Sequence, residues 1–69
     1  MKILKNILAE YAQDPVNARS HFVWGRNRFL LSFDSCTREI TVLDAITWDF
    51  VSESKNINLL AHDIHSYRR

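Results

Sequence analysis

Glycine, proline and cysteine occur once each in this chain, and no uninterrupted apolar run exceeds three residues. Each scarcity removes a class of protein. A single glycine rules out a glycine-rich phosphate loop. With 46% hydrophobic residues and so few turn formers, the chain is not a disordered tail. The lone Cys36 excludes an intrachain disulfide. It also leaves a zinc staple only the bare minimum of donors, because about four ligands are needed. The soft ligands are Cys36, His21, His62 and His65, with no CxxC pair among them. Apolar runs such as Phe29-Leu30-Leu31 fall far below the roughly 7–15 residues of a signal peptide or the about 20 of a spanning helix. The expectation is a cytosolic protein, with no membrane partner and no cofactor.

Charge of one sign is lacking too. The formal net charge is +1, so electrostatics supplies no strong prior for nucleic acid or an acidic membrane. The distribution is nonetheless uneven. Arg19, Arg26 and Arg28 stand in an acid-free stretch, Arg68-Arg69 close the sequence, and Asp44, Asp49, Glu53 and Asp63 come late.

Sixty-nine residues are read as one domain, 1–69. A domain of this size buries only about 60% of the surface its unfolded chain exposes. Without disulfide or metal, stability must come from an economical core or from self-association.

What is present is strongly patterned. Ile3, Leu4, Ile7, Leu8 and Tyr11 recur at helical spacing, and Asp14-Pro15 stops the run. From His21 the period becomes two. Gly25-Arg26 supplies a two-residue hairpin loop, and DSCTR forms a second turn opened by residues that bond back to their own backbone. Phe22, Trp24, Phe29, Leu31, Phe33, Ile40 and Val42 then share one face. In DAITWDFVS, the alternation of Ile46, Trp48 and Phe50 predicts a strand, with a short helix capped by Asp44 as the alternative. The last segment is helical again, with Ile57, Leu60, Ala61, Ile64 and Tyr67 as its stripe and Ser52 or Ser54 as N-cap. The predicted fold is α+β: an N-terminal helix, a three- or four-stranded antiparallel meander and a C-terminal helix, in two layers.

The aromatic stretch FVWGRNRFLLSF raises the question of a nucleic-acid platform. Its rings keep step with the pleat and with Ile40 and Val42, so they form the face the helices need. The expectation is that the rings go inward and the arginines to water. The other face carries Val23, Leu30, Leu43 and Val51, more aliphatic surface than a solvated face requires. Large contiguous apolar patches mark interaction sites, so this face is expected to bind another protein or a second copy.

His62 and His65 stand three apart on the last helix, but HxxH without further ligands reads as a solvated helix face. No pattern activates Cys36 as a nucleophile, and so short a chain leaves little room for a substrate pocket of several hundred Å3. Neither an enzyme nor a small-molecule binder is expected. The reading is a protein-binding module, an adaptor, regulator or inhibitor, expected to form a homodimer. Leu30, Leu43 and Val51 are the apolar anchors, Arg26 and Arg28 the rim charges, and a strand edge is an extra handle. The alternative is nucleic-acid binding by Arg19, Arg26, Arg28, Arg68 and Arg69 with Trp24 stacking.

Overall fold

In the computed structural model, residues 2–67 are described. The first apolar stripe forms helix α1, Lys2–Gln13, which buries Leu4, Leu8 and Tyr11. Helix α2, Ile57–Ser66, buries Leu60, Ala61 and Ile64. Between them run β1 (His21–Trp24), β2 (Asn27–Phe33), β3 (Ile40–Asp44) and β4 (Phe50–Ser54). They pair antiparallel in the order β1-β2-β3-β4. The fold is therefore the expected helix, meander and helix, with four strands.

Both helices sit on one side of the sheet. The buried residues of α1 and α2 join Phe22, Phe29, Leu31, Ile40 and Val42 in a single hydrophobic cluster. Trp24 and Phe33 pack against its edge. Phe22 and Phe29 are cross-strand partners with ring centroids 5.5 Å apart, a favourable aromatic pairing. The Tyr11 hydroxyl reaches the Leu31 carbonyl at 3.4 Å, a long contact that adds little beyond the buried ring. The rings of the stretch FVWGRNRFLLSF thus go to the core or pack against it, as the pleat requires.

The β1–β2 hairpin closes over Gly25 and Arg26, with Trp24 opposite Asn27. Gly25 has φ +62 and Arg26 does not share a positive φ. A hairpin turn of the Gly-X kind needs this arrangement, and glycine supplies it without steric cost.

Residues 44–52 depart from the strand reading. β3 ends at Asp44, a loop takes residues 45–49, and β4 begins only at Phe50. The cause is Asp44, whose Oδ1 accepts from the N–H groups of Ile46 (2.8 Å) and Thr47 (3.2 Å) and folds the chain back. Ile46 and Trp48 are consequently exposed. The loop before it is built identically. Asp34 Oδ1 accepts from Cys36 and Thr37, Asp34 O from the Arg38 N–H, and the Thr37 hydroxyl oxygen from Glu39. Asp44, Thr47, Trp48 and Asp49 repeat each of these bonds. DSCTRE and DAITWD, ten positions apart, are one turn used twice. In each, the fifth residue takes positive φ: 63 at Arg38 and 66 at Trp48.

The later end of β4, at Ser54, also displaces the helix cap. Ser52 and Ser54 are strand residues, and Asn56 caps α2 by accepting from the N–H groups of Asn58 and Leu59. Asparagine is as good an N-cap as serine. Ser52 instead donates to Asp63 Oδ2 at 2.6 Å, fastening α2 to β4.

Candidate functional site: the open sheet face and its edge

Register decides what the second face displays. Leu30 lies opposite both His21 on β1 and Leu43 on β3, and Leu43 lies opposite Phe50 on β4. His21, Leu30, Leu43 and Phe50 therefore form one row crossing all four strands. Val23 and Arg28, partners of each other, flank the row on one side. Ser32, Thr41 and Glu53 flank it on the other. Neither Leu30 nor Leu43 joins the core cluster, and Val23 and Phe50 are 59% and 63% exposed. Leu30 and Leu43 are half-buried among their strand neighbours, and the helices do not cover the row. Thr41 donates to Glu53 Oε2 at 2.8 Å, which fixes a carboxylate at the border of the apolar row.

Val51 is not on this face, against the expectation from alternation. Pairing passes from Val42–Ser52 to Leu43–Phe50, one step on β3 and two on β4. This β-bulge leaves Val51 as the extra residue. It packs against the core, and Phe50 takes the outward position opposite Leu43. Sequence reasoning missed Phe50 because strict alternation assigned it to the core.

The arginines part company. Arg28 is on the open face beside Val23. Arg26, at the hairpin tip, lines the rim of a concavity of about 330 Å3 on the helix side with Trp24, Ile64, His65 and Tyr67. It is therefore not a rim charge of the open face. The hairpin turn carries it away from Arg28. Arg19 borders a groove between α1 and β1. Trp24 is half-buried, packed against the core, and its ring lies 6.3 Å from that of His65. Of the residues of the nucleic-acid alternative, Arg19 and Arg28 line one concavity and Trp24 and Arg26 another; Arg68 and Arg69 lie outside the described residues. No cluster of three or more metal-capable side chains occurs among the described residues. Cys36 is exposed in the β2–β3 loop. No helix among those residues is long and apolar enough to cross a membrane.

The most deeply placed polar group is Asp44, fully buried on the helix side of the sheet. Its Oδ2 accepts from the Tyr67 hydroxyl at 2.9 Å. A carboxylate at such depth is tolerable only when hydrogen-bonded, and no buried side-chain nitrogen or oxygen among the described residues lacks a partner. Burial, and then the hydrogen bond to Asp44, push the Tyr67 hydroxyl above its ordinary value. These contacts close a turn and dock a helix end, so we assign Asp44 to architecture.

No family model, curated protein or solved structure matches this chain.

Proposed function

We propose that the protein is a non-enzymatic protein-binding module that works through the open face of its sheet and pairs with a second copy there. The observation that carries this reading is the row His21, Leu30, Leu43 and Phe50, which crosses every strand on the side neither helix covers. Val23 and Phe50 are exposed and Leu30 and Leu43 half-buried, and fully covering an exposed side chain of this size is worth roughly 1.5–3 kcal/mol. The surroundings suit an interface, with an apolar centre and a polar rim of Arg28, Thr41 and Glu53.

The rim also favours self-pairing. Arg28 and Glu53 lie on opposite sides of Leu43 in the register, one on β2 and the other on β4. A two-fold axis lying in the face and passing through Leu43 can bring Arg28 of each copy to Glu53 of the other. Such isologous contacts are the rule for dimers.

Side-chain methyl spectra recorded over a concentration series test this reading. The Leu30, Leu43 and Val23 methyl signals should shift as concentration rises, while those of Leu60 and Ile64 in the core stay in place. Shifts concentrated at Arg19, Arg26 and Trp24 on adding an oligonucleotide, lost in high salt, would favour the nucleic-acid alternative instead.

A further inference from the structure

The sheet has two edges, and they differ. β4 is interrupted by the bulge at Val51, a device that discourages further pairing. β1 pairs regularly with β2 from His21 to Trp24. The Leu31 N–H donates to the Ser20 carbonyl, which makes Ser20–Leu31 a hydrogen-bonded pair. In an antiparallel ladder such pairs alternate, so Phe22 and Trp24 also direct their backbone groups at β2. His21 and Val23 direct theirs the other way, off the edge of the sheet. Two N–H and two C=O groups are thereby offered in a row.

A groove follows this edge. Between α1 and β1 lies a concavity of about 630 Å3 lined by Ile7, Glu10, Asn17, Ala18, Arg19 and Phe22. A neighbouring one of about 570 Å3 shares Ile7, Arg19 and Phe22 and continues round the edge past His21, Val23 and Arg28. Its charge is divided. Glu10 stands on the helix side, Arg28 on the open-face side, and Arg19 at the junction. Arg19 and Arg28 take part in no ion pair among the described residues.

From these observations we infer that β1 accepts an extended acidic segment of another protein as a fifth strand, its backbone bonded to His21 and Val23. Side chains of an added strand alternate between the two sides. Those on the helix side meet Ile7, Ala18 and Phe22 and are apolar, since Glu10 repels acids there. Those on the other side meet Arg19 and Arg28 and are carboxylates, whose charge-assisted hydrogen bonds are the stronger kind. Strand addition beside a groove is a general mode of peptide capture, with affinity from the backbone and specificity from alternate side chains. This inference rests on the protein-binding reading and names the partner of the strand edge.

The test uses a fluorescein-labelled peptide of alternating glutamate and valine, followed by fluorescence anisotropy, with a lysine–valine peptide as control. The acidic peptide should bind saturably and the lysine peptide should not. Arg19→Ala with Arg28→Ala should weaken binding about tenfold or more, and the peptide should slow amide exchange at His21 and Val23. N-methylation of the peptide backbone should abolish binding. Equal binding of the two peptides, or none, overturns the inference. So does protection of the His21 and Val23 amides by protein concentration alone, which would give the edge to a second copy. Leu43→Asp disables the open face and leaves the edge intact. Peptide binding that survives in this variant separates the edge from the face, and peptide failure beside intact self-association condemns the edge inference alone.

Discussion

Tyr67 and Asp44 join the end of α2 to the end of β3, the tyrosine hydroxyl donating to Oδ2 at 2.9 Å. The Tyr67 ring also meets Phe29 edge-on, with centroids 5.7 Å apart. One side chain thus holds the helix to the sheet by both a polar and an aromatic contact, and Asp44 uses its other oxygen to shape the β3–β4 loop.

This contact has an alkaline signature. Tyr67 is raised above 10.0 by burial and by Asp44, and Tyr11 is raised by burial. A group whose folded value exceeds its unfolded one contributes stability that is complete below the unfolded value and is lost as pH rises through the folded value. Stability should hold up to about pH 10 and decline above it. Ultraviolet difference titration of the phenols should show both tyrosines ionising later in the native protein than in denaturant. Tyr67→Phe should weaken the alkaline decline. An unchanged profile in that variant would remove Tyr67 from the account.

The repeated turn makes a different prediction. Arg38 and Trp48 occupy left-handed backbone, which costs a non-glycine residue about 1–2 kcal/mol. Glycine relieves this but loses more chain entropy on folding, about 0.5–1 kcal/mol. Arg38→Gly and Trp48→Gly should each be neutral to stabilising, by up to about 1.5 kcal/mol, in urea denaturation. A clear loss of stability in either would show that its side chain holds the fold by a contact other than the turn.

Ser52 offers a third test. Its hydroxyl donates to Asp63 at 2.6 Å in a partly buried setting between β4 and α2. Hydrogen bonds to charged groups contribute about 1.5–3 kcal/mol, so Ser52→Ala should lower unfolding free energy by about that amount. A loss below a few tenths would mean that water replaces the hydroxyl.

Much of the fold is legible in the sequence because two periods dominate it. The stripe from Leu4 to Tyr11 and the alternation through Phe29, Leu31, Ile40 and Val42 each have one way to bury their apolar side, and the structure adopts it. What is hidden is local. Ile46, Trp48 and Phe50 alternate as a strand would, yet Asp44 captures the backbone N–H groups of Ile46 and Thr47 and turns the run into a loop. The resulting bulge exchanges Val51 for Phe50 on the open face, which alternation alone does not foresee. The shared pattern of Asp, Thr and a following acid at 34–39 and 44–49 is the signal for it. For the site, Leu30 and Leu43 were legible as outward residues of paired strands. The separation of Arg26 from Arg28 was not, because a two-residue turn decides it.

We propose the row around Leu30 and Leu43 as the place where the molecule engages a partner, in the first instance itself. Sedimentation equilibrium over a concentration series, on the natural protein and on Leu43→Asp, tests it most directly. The natural protein should approach twice the 8.1 kDa chain mass, while the variant stays at the monomer mass with its circular dichroism unchanged. A natural protein that remains monomeric throughout, or a variant that dimerises as well as its parent, contradicts the claim.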